Sequence, residues 1–264
     1  MKNKGTITLL IVLVFGASIV IATEINSSLF SPPPPTIPKQ IYAPTIPPAD
    51  QRVVCIVFDD GWKSQLNALP ILDRLGFNAT FAVVTSYAGY PAYLSWNDIA
   101  TVAQSGNDIE SHTDTHADLS TLDNATLYSE LAKSQQALRS KGYAANILVY
   151  PYGDAADNQT VRDAVAQYYL VARGTDDGVC NLTSLDRYNI NSFGIYNDTS
   201  LEEFASYVNV SQGSAVTVLY YHQISDEIDA TAVTQGMFEA QMQYLKDNNF
   251  TVETMSQLLL KNQP

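Results

Sequence analysis

From Arg52 onward, short apolar runs alternate with amphipathic segments, and this alternation narrows the folds open to the chain. VVCIVF (Val53–Phe58) is a continuous apolar run, the pattern of a strand buried on both faces. Ser64 to Leu75 reads as a helix, with Leu66, Leu69, Leu72 and Leu75 along it and Gly76 as its stop. ATFAVV (Ala79–Val84), the stretch from Gly106 to Glu110, NILVY (Asn146–Tyr150), YYLVA (Tyr168–Ala172) and TVLYY (Thr217–Tyr221) read as further strands. Trp96–Gln104, Asn124–Lys141, Asn158–Gln167, Phe204–Val208, Met237–Asp247 and Met255–Lys261 read as helical. Such alternation implies an α/β fold, a parallel sheet with helices outside. Seven or eight units in about 210 residues are tight for a full eightfold barrel, so a distorted, shortened (β/α) barrel is expected. No Gly-x-Gly-x-x-Gly follows the first strand, which argues against a dinucleotide fold.

Composition sets the partners. Hydrophobic residues form 46% of the 264 and charged residues 16%, enough apolar surface for a core. Fourteen basic against 27 acidic residues give a formal net charge of -13, which argues against a nucleic-acid partner. Two cysteines exclude a disulfide scaffold, and the mid-strand position of Cys55 points to free thiols at Cys55 and Cys180.

The N-terminal region reads as an export signal. Lys2 and Lys4 precede an uncharged stretch whose core, Thr6 to Ala22, would span about 25 Å as a helix. Residues 1–23 are expected to be a signal anchor, since the run exceeds a usual signal-peptide core, or a cleaved signal peptide. Residues 24–50 follow as a proline-rich linker: eight prolines between Ser31 and Asp50 favour an extended spacer. Residues 51–264 are the expected folded domain. Glycosylation sequons at Asn26, Asn78, Asn124, Asn158, Asn181, Asn197, Asn209 and Asn249 fit a location outside the cytoplasm, though Asn78, at a strand entrance, is expected to be buried. The protein is thus expected to be extracytoplasmic, held to the membrane by residues 6–22 alone, or secreted if cleaved.

Catalytic groups of parallel α/β folds collect at the C-terminal ends of strands. Four polar clusters fall there: Asp59-Asp60-Gly61-Trp62, the stretch from Ser111 to His116, Pro151-Tyr152-Gly153-Asp154, and His222. All three histidines of the chain lie in these clusters. His112 and His116, four residues apart, can share one metal ion. A third ligand is needed from another strand end, and the Asp59-Asp60 pair is the nearest source. Adjacent carboxylates invite divided roles, one on the cation and one free as a base.

FDDGW, SHTDTH, YPYG and LYYH, in this order, resemble the motif series of the polysaccharide deacetylases, carbohydrate esterase family 4 (the NodB homology domain). The resemblance covers roughly Val53 to the C-terminal helix. It implies a distorted (β/α) barrel and metal-dependent removal of acetyl groups, usually from N-acetylated sugars. By similarity Asp59 is the catalytic base, and Asp60, His112 and His116 bind one divalent metal. Zn2+ is expected first, with Co2+, Ni2+ or Fe2+ tolerated by the same donors. Tyr152 offers its backbone N–H to the oxyanion, Leu219 lines the acetyl pocket and His222 is the general acid. Trp62 either stacks on a sugar ring or packs under its loop.

Three departures stand out. Val149 occupies the position where the family's third motif carries an arginine, the expected partner of the base, and Arg187 is the candidate replacement. Ala117 follows the second histidine in place of a proline. The acid that tunes the catalytic histidine is not evident, with Asp186 as a candidate. The expected function is deacetylation of an extracytoplasmic carbohydrate. The alternatives are a sugar-binding protein on a degenerate scaffold, which the missing arginine would favour, and an amidase for a small non-sugar amide, which a closed pocket would favour.

Overall fold

The computed structural model describes residues 42–227 and 229–262. The expected anchor and most of the linker therefore lie outside the described residues; among those described, no helix is long and apolar enough to cross a membrane. The folded body reaches back to Tyr42–Ala43, ahead of the expected boundary at 51, and this pair runs antiparallel to Lys261–Asn262.

Eight parallel strands build the curl, and Cys180–Asn181 adds a ninth, antiparallel to the strand Ala215–Tyr221 at its edge. β1 (Val53–Phe58) is buried throughout. β2 (Thr80–Val83), β3 (Asp108–Ser111), β4 (Ile147–Val149) and β5 (Val171–Arg173) follow beside it in turn, all parallel. β7 (Ala215–Tyr221) pairs with the other side of β1, also parallel. The short β6 (Phe193–Gly194) pairs with β7, while Ile190 just ahead of it bridges to Arg173 of β5. One segment thus touches both ends of the sheet and draws it into a ring. β8 (Thr251–Val252) supports the start of β1. This is the distorted, shortened barrel expected from the alternation.

Side chains alternate across this sheet. Val54, Ile56 and Phe58 join Leu219 and Tyr221 in a core shared with α5 (Leu201–Asn209) and α6 (Gln235–Asp247), through Phe204, Val208, Phe238 and Met242. Val53, Cys55 and Val57 share the inner cluster with Val149, Val171, Val218 and Tyr220. Cys55 and Cys180 are free, buried thiols, as expected.

Three boundaries differ from the sequence pattern. The predicted helix Ser64–Leu75 is a 3-10 turn, Lys63–Ala68, leading into α1 (Leu69–Leu75). Pro70 sits in the first turn of α1, where its missing N–H is tolerated. The amides of Tyr168 and Tyr169 bond back to Val165, so the strand predicted at Tyr168 begins only at Val171 and runs on to Arg173. The last helix, α7 (Met255–Leu259), stops short of Lys261, which is drawn into the pair with Tyr42–Ala43. Three more helices complete the outer layer: α2 (Trp96–Gln104), α3 (Asn124–Ser140) and α4 (Gln159–Val165).

Candidate active site

The four polar clusters meet above the C-terminal end of the curl. They line a cavity of about 420 Å³ with Asp59, Asp60, Trp62, His112, His116, Tyr152 and His222 on its walls. β1 ends in Asp59, whose N–H is still paired to Tyr221, and the chain then turns sharply at Asp60, φ 73°. β3 delivers His112, and a tight loop returns His116 to the same side. Thr113 and His116 adopt the left-handed region in that loop, φ 65° and 61°. Its shape is imposed from α3. Buried Glu130 accepts from the amides of Asp114 and Thr115 at 3.1 and 2.8 Å and from the Thr115 hydroxyl at 2.8 Å.

The donor atoms of Asp60, His112 and His116 all lie within 4.8 Å of one another. Oδ1 of Asp60 faces Nε2 of His112 at 3.2 Å and Nε2 of His116 at 3.1 Å. Nδ1 of His112 donates to the Val149 carbonyl at 2.8 Å, which leaves Nε2 as its ligating nitrogen. Nδ1 of His116 meets the Tyr152 hydroxyl at 3.2 Å. Oδ2 of Asp60 accepts from Nε1 of Trp62 at 2.7 Å. Burial alone would raise the Asp60 pKa, but hydrogen bonds from His112 and His116 and the charges of His112 and His222 hold it well below the usual carboxylate range. Burial likewise opposes protonation of His112, yet the Asp60 hydrogen bond and the charges of Asp59 and Asp60 raise its pKa. One carboxylate oxygen facing two oriented imidazole nitrogens is a donor set that fits a divalent cation.

Asp59 is buried and its Oδ2 accepts from Nη2 of Arg173, a wholly buried guanidinium. Arg187 does not reach the site: its guanidinium donates to the Tyr42 carbonyl at 2.7 Å. The expectation for Arg187 is therefore corrected to Arg173. Register explains the substitution, because Arg173 on β5 is the direct neighbour of Val149 on β4. The guanidinium moves one strand over and still meets the carboxylate. It also lies 4.6 Å above the Tyr220 ring.

Leu219 is the second correction. It faces the helix layer with Ile56 and Phe204, wholly buried, and its neighbour Tyr220 lines the cavity instead. Strand alternation allows only one of the two to point inward. Asp186 is the third: it pairs with Arg162 and does not meet His222. The Asp229 carboxyl is held below its usual range by the Thr231 hydroxyl and amide, with a smaller contribution from the charge of His222. Asn78, expected to be buried, is partly exposed.

Tyr152 sits at φ 62°, is 62% exposed, and its N–H has no acceptor among the described residues. The turn depends on Gly153, φ 85°, where a Cβ would fall 1.8 Å from the Thr175 hydroxyl. His222 ends β7, its Nδ1 buried without a partner. Wholly buried Gln65 ties Asp59 to His222, donating through Nε2 to their carbonyls at 2.6 and 2.8 Å. Oδ1 of Asp59 and the hydroxyl of Tyr150 are also buried and unpartnered at the cavity. These unmet polar atoms suit a polar ligand. Sequence reasoning missed Gln65, Tyr150, Tyr220 and Arg173. Only Arg173 left a signal, as a lone charge closing an apolar strand.

A family model described as polysaccharide deacetylase matches residues 47–172. A gellan lyase of Bacillus sp is 39% identical over 118 residues, 44% of this chain and 4% of that protein. A peptidoglycan-N-acetylglucosamine deacetylase of Bacillus cereus is 29% identical over 137 residues, 50% of this chain and 47% of that one. This chain therefore spans less than half the length of either curated relative. Among solved structures, a family 4 carbohydrate esterase of Streptomyces lividans, in complex with acetate, superposes with a TM-score of 0.58 at 22% identity. That match covers 82% of this chain and 100% of the esterase, and it shows the shared barrel fold. Over residues 47–172 the sequence thus resembles the polysaccharide deacetylases, and the four motifs gather at one end of the curl.

Proposed function

We propose that this chain is a metal-dependent hydrolase that removes acetyl groups, N-acetyl groups of amino sugars first, from a carbohydrate outside the cytoplasm. The observation that carries the reading is the pairing of two adjacent carboxylates with different partners. Asp60 faces two imidazoles, and Asp59 faces a guanidinium. A divalent cation, Zn2+ by preference, held by Asp60, His112 and His116, would supply Lewis-acid polarisation and make water acidic enough to attack.

The remaining chemistry belongs to the chain's own groups. Asp59 takes the proton of the attacking water on its unpartnered Oδ1, while Arg173 holds Oδ2. The free N–H of Tyr152 stabilises the developing oxyanion. His222 donates a proton to the leaving nitrogen of the sugar, and Gln65 fixes the distance between acid and base. The sugar-binding alternative drew its support from the missing arginine, and Arg173 removes that support. The exposed Tyr152 at the rim favours a chain-like substrate over a small enclosed amide.

Acetate release from a panel of N- and O-acetylated glycans, with and without chelator, tests the reading. Chelator-sensitive release from an amino-sugar polymer is expected. No release from any glycan by the metal-loaded protein would overturn it. Export and anchoring through residues 6–22 belong to the same proposal, and membrane fractionation of the full chain tests them.

A further inference from the structure

The segment 85–94, between β2 and α2, carries three tyrosines against Trp62. The Trp62 and Tyr93 rings stack with centroids 4.5 Å apart and planes 22° apart. Tyr87 leans on Tyr93 at 4.8 Å and lies over Tyr90 at 6.0 Å. The row starts at the cavity wall, where Trp62 also holds Asp60, and ends at Tyr90, which is 58% exposed. None of these rings is needed for the chemistry described above, apart from the Trp62 contact with Asp60.

The row is rigid. Tyr90 N–H bonds to the Tyr87 carbonyl, Tyr93 N–H to Tyr90, and Gly89 N–H to Leu94. Lys63 N–H bonds to Ala92 and Leu94 N–H to Gly61, which locks the segment onto the turn after β1. The Tyr87 hydroxyl donates to the Thr115 carbonyl at 3.1 Å, inside the loop that carries both histidines. The neighbouring cation, Lys63, pairs with Asp98 at 3.4 Å. A shelf of fixed aromatic faces, with its cation already paired, suits a ligand with flat apolar faces and a rim of hydroxyls.

We propose that Trp62, Tyr93, Tyr87 and Tyr90 form a carbohydrate subsite that stacks pyranose rings outward from the cavity, with Tyr90 beneath a ring two or more places along the chain from the one being deacetylated, so that the enzyme acts within a chain of sugars. The proposal rests on the deacetylase reading for its substrate class. Continuity with the cavity through Trp62 favours a sugar over a peptide as occupant.

The test uses the zinc-loaded full chain and its Tyr90→Ala variant, with acetate release measured from di-N-acetylchitobiose and hexa-N-acetylchitohexaose. Tyr90→Ala should raise KM for the six-sugar substrate about 3- to 10-fold, the effect of one lost stack, with KM for the two-sugar substrate and both kcat values unmoved. Tyr90→Trp should restore the six-sugar KM. Equal KM changes for both substrates, or none, would overturn the subsite. So would displacement of the hexasaccharide's effect by a proline-rich peptide of residues 31–40 that binds the wild type and not Tyr90→Ala. If the wild type releases no acetate from either sugar, the deacetylase reading fails separately. The shelf is then read by tryptophan fluorescence: quenching by the hexasaccharide that Tyr90→Ala abolishes sustains it, and its absence in the wild type overturns it.

Discussion

Arg173 and Asp59 form a buried ion pair across the interior of the curl, from a position in register with Val149. The pair leaves one carboxylate oxygen of Asp59 bound and the other unpartnered, which fixes its direction. Arg173→Ala should lower kcat on the order of 100-fold through misplacement of the Asp59 carboxylate. Metal content should stay the same. Arg173→Lys should rescue poorly, because the planar fork is lost. Since an unpaired buried carboxylate also destabilises, by about 3–5 kcal/mol, thermal unfolding should accompany the kinetics. Arg187→Ala should leave kcat unmoved.

Metal content should depend on the Asp60 cluster. The purified full chain should hold one divalent ion per molecule, and a His112→Ala/His116→Ala double variant none, by elemental analysis. Equal content in both would move the metal elsewhere. Trp62→Phe keeps a ring for Tyr93 but removes the N–H on Asp60 Oδ2. Chelator competition should show an affinity about 10- to 100-fold weaker.

The two carboxylates should separate in function. Asp59→Asn should keep its metal and lose roughly 100- to 10,000-fold in turnover, the range of a positioned base. If Asp60→Asn kept the metal and Asp59→Asn lost it, the roles would be exchanged.

Asp186 should matter to stability and not to catalysis. Burial raises its pKa, but the hydrogen bond and charge of Arg162 and the amides of Tyr188 and Asn189 together outweigh this and lower it. A lowered carboxylate stabilises the fold above its unfolded pKa and loses that contribution as pH falls through its folded value. Asp186→Asn should therefore unfold at a lower temperature near neutral pH, by less than about 1 kcal/mol for so exposed a pair. The difference should vanish in acid, and kcat should not change.

The barrel and the gathering of Asp59, Asp60, His112, His116 and His222 were legible because Asp59-Asp60 and His222 follow continuous apolar runs, the histidine pair carries metal-ligand spacing, and strand ends share one rim. What was not legible depends on relations between strands. Local pattern cannot tell Leu219 from Tyr220, since both belong to one apolar run and the closure of the ring decides which points inward. Arg187 and Arg173 both stand near the ends of polar loops, and only the pairing of Val149 with Arg173 selects between them. Asn158 and Asn181, read as sequons, also cap turns through their own carbonyls, a role that the same residue type fills equally well.

Asp60, Thr113, His116 and Tyr152 all hold the left-handed backbone without being glycine. Each forgoes on the order of 1–3 kcal/mol to keep its side chain where it is. At these four positions selection for a sturdier protein and selection for a working one pull in opposite directions. A lineage released from the need for catalysis would gain stability by drifting to glycine or asparagine there. Loss of the donor set accompanied by a higher melting temperature would then be the signature of a descendant that has stopped being an enzyme.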